Sequence, residues 1–171
     1  MRSVLIGSFV LAAGAAAAAC GNGSQRPELR ATLDNATITL ADSVGVALGR
    51  EAGAPIRAVL LPADPVFEVG VLQELQRNDV QVSIVSGQVL SAGPVGPANA
   101  PCADSIPLVD ALGIAEQRAN GDAIAVVADD DVACAFEIQV LSNITLWEVK
   151  VAGDGRVLEY ELSDEYSGLE D

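Results

Sequence analysis

The sequence aligns with itself at an offset of 68 to 69 residues, and this internal repeat limits the possible folds more than any other feature. The segments that align are residues 38–91 and 106–159. Self-similarity at a constant spacing is typical of a duplicated structural unit, so we expect both halves to adopt one fold. The matches are Ile38-Thr-Leu-Ala-Asp with Ile106-Pro-Leu-Val-Asp, Phe67-Glu-Val-Gly-Val-Leu with Phe136-Glu-Ile-Gln-Val-Leu, and Gly87-Gln-Val-Leu with Gly155-Arg-Val-Leu.

Each half is predicted to begin with an amphipathic helix. In the first half Thr39 is placed to cap the helix, and in the second Pro107 suits the first turn and Gly121 the end. Both helices carry an apolar stripe that needs cover. The stripes are Leu40, Val44, Ala47 and Leu48 in the first helix, and Leu108, Ala111, Leu112, Ala115 and Ala119 in the second.

Alternation of apolar with other residues then predicts strands in both halves. The expected fold class is α+β, with two repeats that are each one helix packed on a small antiparallel sheet. A repeat of about 55 residues is marginally stable alone, so we expect the two to pack together. The alternating residues are Phe67, Val69, Val71, Val80, Val82 and Ile84 in the first half, and Phe136, Ile138, Val140, Trp147, Val149 and Val151 in the second.

Composition divides the chain further. Residues 92–101 read AGPVGPANAP, which prevents either a helix or a strand from continuing. The expected organisation is a signal peptide over 1–19, a flexible polar tether over 20–37, the first repeat over 38–91, a linker over 92–104, the second repeat over 105–161, and an acidic disordered tail over 162–171.

The N-terminus has the pattern of an export signal. A basic start at Arg2 precedes an apolar stretch over 4–11 and a run of small residues that ends at Cys20. This run resembles the lipobox of bacterial lipoproteins, in which the cysteine is acylated and becomes the new N-terminus. An ordinary signal peptidase would also accept Ala17 and Ala19, and an uncleaved membrane anchor is a third alternative, although the apolar run is short for one.

The cysteine count fits an exported lipoprotein. Of the three cysteines, Cys20 is used by the lipobox, which leaves Cys102 and Cys134. In an oxidising compartment we expect these two to form a structural disulfide. A redox pair or a set of metal ligands is the alternative, but the sequence has no CxxC spacing and no histidine.

With these residues in view, each half resembles a PepSY domain, a small helix-plus-sheet module of exported and membrane proteins and of peptidase propeptides. The resemblance rests on the Ile-Thr-Leu-like helix start, on the triplets Phe67-Glu68-Val69 and Phe136-Glu137-Ile138, and on the closing turns that end in Val-Leu. It implies inhibition or regulation of peptidases, or modulation of envelope proteins. The family pattern supplies no catalytic residues.

The charge and the residue types exclude several classes of function. A formal net charge of −15 and a single lysine, Lys150, exclude nucleic acid as a partner. The absence of histidine excludes Ser-His-Asp and Cys-His catalysis and histidine-based zinc sites. Carboxylates remain at Asp129-Asp130-Asp131 and at Glu159, Glu161, Asp164 and Glu165, but no pair of them stands out as acid and base, and a calcium loop from Asp129 would need glycine at Cys134 and glutamate at Val140.

These observations predict a non-catalytic binding or regulatory module rather than an enzyme. We expect it on the periplasmic side of a bacterial envelope, held in the membrane by a lipid on Cys20. The expected partner is another envelope protein, such as a peptidase, and no cofactor, metal or catalytic residue is predicted. The alternative is a periplasmic protein that binds a small molecule or a cation through its carboxylates.

Overall fold

The computed structural model describes residues 26–129 and 131–166 of the chain. The predicted signal peptide, the lipidation site Cys20 and the last part of the predicted acidic tail lie outside the described residues. Within the described ranges, no helix is both long enough and apolar enough to cross a membrane.

The described residues form three helices and eight strands. Each half of the chain supplies four of the strands. In chain order the elements are α1 (Pro27–Leu33), α2 (Leu40–Arg50), β1 (Ala54–Leu61), β2 (Val66–Gln73), β3 (Gln76–Ser83), β4 (Val89–Pro97), α3 (Leu108–Ala119), β5 (Asp122–Ala128), β6 (Ala135–Ser142), β7 (Thr145–Ala152) and β8 (Val157–Leu162).

All eight strands belong to one antiparallel sheet with the order β4-β3-β2-β1-β5-β6-β7-β8. The two halves are joined by β1 and β5, where Ala58 pairs with Val126 and Val59 pairs with Ala125. The prediction of two repeats, each one helix packed on its own small sheet, is therefore wrong. The chain is a mostly β structure in which one continuous sheet carries the helices.

The strands that join the halves are the ones that the alternation pattern missed. β1 contains the run Ala58-Val-Leu-Leu and β5 contains Ala123-Ile-Ala-Val-Val, which are apolar without a break. Strands of this kind are shielded on both faces, so they show no period of two. Left at the edge of two separate sheets, both runs would be open to water and to pairing with other chains. Pairing them with each other removes both edges.

The core lies between α2, α3 and one face of this sheet. The apolar side chains that alternate along β2, β3, β6 and β7 point to that face, and most of them are fully buried. Thr39 and Asp42 form a capping box at the start of α2, as the sequence suggested for Thr39. Two details differ, because Leu48 is exposed and the residue that caps the end of α3 is Asn120, which adopts the left-handed conformation expected of Gly121.

Three expected boundaries also differ from the structure. Residues 27–33, which we assigned to a flexible tether, form α1, because Leu29 and Leu33 are one helical turn apart and only 1% and 8% exposed. The predicted linker begins inside β4. The predicted tail begins at the last residue of β8 and continues to Tyr166, which is 3% exposed.

The predicted disulfide between Cys102 and Cys134 is confirmed, with Cα atoms 5.3 Å apart. It ties the segment between β4 and α3 to the turn between β5 and β6. The bond closes a loop with a sequence separation of 32 residues. Because it restricts the unfolded chain, it stabilises the folded state by about 3 to 4 kcal/mol in the loop-entropy treatment.

Tyr166 secures the join between the two halves. Its hydroxyl donates to the carbonyl oxygens of Leu60, at 2.5 Å, and Ile124, at 3.2 Å, where β1 and β5 separate beyond their paired residues. We expect Tyr166→Phe to lower the free energy of unfolding by about 1 to 3 kcal/mol, because two buried carbonyls lose their donor. Urea denaturation measures this change.

Tyr160→Phe is the matched control, since Tyr160 is half-buried and its ring, rather than its hydroxyl, makes the contacts seen in the structure. We expect it to change the stability by less than about 0.5 kcal/mol. Equal effects of the two variants would show that the Tyr166 hydroxyl does not hold the seam.

Candidate functional site: the polar face of the sheet

The face of the sheet opposite α2 and α3 is polar. This follows from the period of two, since a strand that buries alternate apolar residues under a helix must turn the residues between them to the other side. In β2 and β3 these residues include Glu68 and Gln81, which lie directly opposite each other. In β6 and β7 they include Glu137 and Lys150, which are also paired in register.

In the first half, the charges on this face neutralise one another. Arg57 lies 3.6 Å from Glu68, and Arg77 lies 3.0 Å from Asp79. Burial raises the pKa of Asp79, although the two arginines oppose this change. Gly70 makes room for the network, because a Cβ at this position would lie 2.7 Å from the Cγ atom of Arg57. This half therefore offers little uncompensated charge to a partner.

In the second half, acidic residues predominate. Lys150 lies between Glu137 and Glu159 in register, and its Nζ atom is 3.2 Å from Glu159 and 2.8 Å from Asp129. These bonds raise the pKa of Lys150. The side chain of Asp129 is almost fully buried and also accepts hydrogen bonds from two backbone N–H groups, so this ion pair fixes the turn after β5. The only lysine of the chain is thus already engaged.

The next row across these strands places like charges together. Glu148 of β7 lies directly opposite Glu161 of β8 on one side and Gln139 of β6 on the other. Directly opposed like charges destabilise a sheet. Burial, followed by the negative charges of Glu137 and Glu161, raises the pKa of Glu148. The fold therefore holds a carboxylate pair that a cationic group would relieve.

The segment after β8 turns this acidic row into a concave surface. Gln139 donates through Nε2 to the hydroxyl of Ser163, at 3.2 Å, and to the carbonyl oxygen of Glu165, at 2.9 Å, which draws the segment across the sheet. The resulting cavity has a volume of about 380 Å³, and we call it the acidic groove. It is lined by Glu137, Gln139, Glu148, Glu161, Leu162, Ser163, Asp164 and Glu165.

The acidic groove adjoins the edge strand β8, whose outer side pairs with no other described strand. The N–H of Ser163 donates to the carbonyl oxygen of Leu146, at 3.1 Å, so by the alternation of an antiparallel ladder Tyr160 and Leu162 turn their N–H and C=O groups outward. No proline interrupts β8. The opposite edge, β4, contains Pro94 and Pro97 and pairs with two shifts of register, so it is a poor template for another strand.

An aromatic cluster lies on the other face of the same edge. The rings of Trp147 and Tyr160 stack with centroids 4.6 Å apart, and the guanidinium of Arg118 lies 4.5 Å from the centre of the Tyr160 ring. Leu158 and Leu162 are 43% and 52% exposed beside it. The edge strand is therefore acidic on one face and apolar on the other.

The structure brings together part of the carboxylates that the sequence singled out. Glu161, Asp164 and Glu165 line the acidic groove, and Glu159 lies in the next row beside Lys150. The run at 129–131 contributes Asp129 to the ion pair with Lys150, while Asp131 is exposed and residue 130 lies outside the described residues. Across the described ranges, no group of three or more acidic or cysteine residues is placed to hold a metal ion.

Sequence reasoning missed Glu137 and Glu148 as part of this surface. Glu148 lies 13 residues from Glu161 along the chain, and only the strand register makes them neighbours. The alternation in β6 and β7 could have shown that both point away from the helices. The alternation does not reveal which residues of two strands are paired, because a shift of one residue in the register changes every opposed pair.

The repulsion at Glu148 gives a direct test of this geometry. A raised pKa means that the ionised carboxylate destabilises the folded chain above that pKa, and that the effect fades as the pH falls toward the ordinary pKa of a glutamate. We therefore expect Glu148→Gln to raise the free energy of unfolding at pH 7 by a few tenths to about 1 kcal/mol, with a smaller gain in acid. Urea denaturation as a function of pH measures both.

Glu74→Gln is the control, because Glu74 is an exposed carboxylate in the turn between β2 and β3. It should leave the stability unchanged. A loss of stability in Glu148→Gln, or a gain that does not depend on pH, would contradict the assigned repulsion.

Comparison with known proteins adds little to this geometry. No protein family model and no curated protein matches the chain. The crystal structure of a candidate lipoprotein from Clostridium difficile resembles it with a TM-score of 0.46 and 16% identity, over 75% of this chain and 95% of that one. This score is too low to establish a common fold, and the identity is too low to establish a common function.

Proposed function

We propose that this protein is a lipid-anchored binding module of the bacterial envelope, on the periplasmic side, which regulates another envelope protein without catalysing a reaction. The observation that carries the proposal is the edge strand β8, which pairs with no described strand on its outer side and is acidic on one face and apolar on the other. The proposed occupant is an extended segment of the partner in which basic and apolar residues alternate. It would add to the sheet as a further strand.

The backbone of β8 supports this mode of binding. Tyr160 and Leu162 turn their hydrogen-bonding groups outward, and an added strand would pair with them as neighbouring strands do within the sheet. Its side chains would then alternate between the two faces. One set would meet Glu159 and Glu161, and the other would meet the apolar surface beside Tyr160 and Leu162.

Charge determines which partner suits this edge. The side chains of Glu159 and Glu161 would oppose the same residues of a second copy if two β8 strands paired, which is unfavourable at a sheet edge. A basic segment would instead relieve the repulsion between Glu148 and Glu161. Electrostatic complementarity of this kind raises association rates and selects partners.

A peptidase is the partner to test first. The resemblance of both halves to PepSY domains, rather than any feature of the acidic groove, supports this choice. The lack of histidine in the sequence supports a non-catalytic role. The alternative of metal-cation binding has less support, since no metal-binding group exists within the described residues.

Membrane attachment is proposed from the sequence around Cys20. The small residues before it and the polar segment after it are consistent with acylation, and α1 begins only a few residues later, at Pro27. The folded part would therefore lie close to the lipid surface. This position would suit the regulation of a membrane-bound or periplasmic partner.

Binding at β8 is tested with a synthetic peptide in which lysine and valine alternate, added to the full chain in detergent. The single tryptophan, Trp147, stacks on Tyr160 of β8, so its fluorescence reports occupation of the edge. We expect Glu161→Lys to weaken binding on the order of tenfold, by reversing the charge at the contact. Leu162→Pro should abolish binding, because it removes an outward N–H that the sheet itself does not use.

The controls separate charge, pattern and folding. Glu74→Lys carries the same charge reversal away from β8 and should bind normally, and a peptide with its lysines and valines in two blocks should bind weakly. Circular dichroism verifies that each variant is folded. Equal binding of the alternating and the block peptides, or normal binding by Leu162→Pro, would refute strand addition at β8.

Lipidation is tested by metabolic labelling with an alkyne palmitate. We expect the natural chain to take up the label and sediment with membranes, and Cys20→Ser to be unlabelled and released with the periplasmic fraction, because a lipid chain is needed for stable attachment. The double variant Cys102→Ser, Cys134→Ser should keep the label. Labelling of Cys20→Ser would contradict the anchor.

A further inference from the structure

A second cavity lies on the helix-covered side of the sheet, where α1, the start of α2 and the end of α3 meet. We call it the helix-junction cavity. Its volume is about 190 Å³, and its apolar wall includes Leu33, Leu40 and Phe67, all of them buried. An engineered cavity of roughly 150 Å³ holds a benzene molecule. The helix-junction cavity is therefore large enough for a ligand the size of a substituted benzene ring.

One carboxylate in the wall of this cavity forms no ion pair with any residue that the structure describes. Glu116 of α3 is half-buried, and its Oε1 atom accepts a hydrogen bond from the N–H of Ala123 at 3.1 Å. Burial raises its pKa, and the negative charges of Asp122 and Asp42 raise it further. No cationic side chain of residues 26–129 and 131–166 forms an ion pair with Glu116 within 4.0 Å.

Arg30 also lines the cavity but is already engaged. Its Nη1 atom lies 2.7 Å from Asp122, and its Nε atom lies 2.8 Å from Asp34. Both bonds raise the pKa of Arg30. The guanidinium therefore balances two other carboxylates, and the negative charge of Glu116 is left for a ligand.

We propose that the helix-junction cavity binds a small organic cation, a primary ammonium group joined to one compact apolar group. The ammonium would donate to the carboxylate of Glu116, and a charge-assisted hydrogen bond of this kind is among the strong ones in a partly dry site. The apolar group would lie against Leu40 and Phe67. A few polar groups that orient a ligand within apolar walls are typical of small-molecule sites.

This ligand is distinct from the partner proposed for β8. The helix-junction cavity is on the opposite side of the sheet from the acidic groove, and the two share no lining residue. The two proposals can therefore fail independently.

The test is calorimetric titration of the full chain in detergent with benzylamine, benzyl alcohol and benzoate. These probes have almost the same size and differ in charge at pH 7. We expect benzylamine to bind at one site, and the neutral and anionic probes to bind at least about tenfold more weakly. Glu116→Gln should weaken the binding of benzylamine by a similar factor and leave the binding of benzyl alcohol unchanged.

Two further variants identify the site. Glu148→Gln removes one carboxylate from the acidic groove and should bind benzylamine normally. Ala36→Phe fills the cavity from its wall without changing any charge and should abolish binding. The proposal is overturned if benzylamine shows no saturable binding, or if Glu116→Gln binds it as the natural chain does. It is also overturned if Glu148→Gln weakens the binding of benzylamine as much as Glu116→Gln does.

Discussion

The whole structure depends on the pairing of β1 with β5. Only two residue pairs are in register there, yet they turn two four-stranded halves into one sheet and remove two apolar edges from water. Val59 and Ala125 are each 1% exposed, although they point to the polar face. The segment that ends at Tyr166 covers this seam, so the stability of the join and the position of the residues after β8 are linked.

The same join determines how the two faces of the sheet differ. α2 and α3 lie side by side over a continuous apolar surface, and the opposite face carries the polar residues of both halves. The first half balances its charges through Arg57 and Arg77, whereas in the second Lys150 lies among a larger number of carboxylates, which include Asp129, Glu137 and Glu159. A chain with similar halves thus presents one neutral and one acidic surface.

The two outer strands differ in the same way. Prolines and shifts of register disrupt β4, which protects that edge against unwanted pairing. β8 contains no proline and pairs with no further strand among the described residues, and the acidic groove lies beside it. Because β4 is a poor template for another strand and β8 is not, β8 is the edge at which to look for a partner. The helix-junction cavity is separate, because residues of α1, α2 and α3 line it on the other side of the sheet.

The sequence by itself determined α2, α3, the alternating strands and the disulfide between Cys102 and Cys134, since each depends on local periodicity or on residue chemistry. It did not reveal that the halves share one sheet, because β1 and β5 are apolar on both faces and carry no alternation. Nor could it place Glu148 beside Glu161 or Tyr166 at the seam. Those contacts depend on the register between strands and on a distant chain segment, and only tertiary structure sets them.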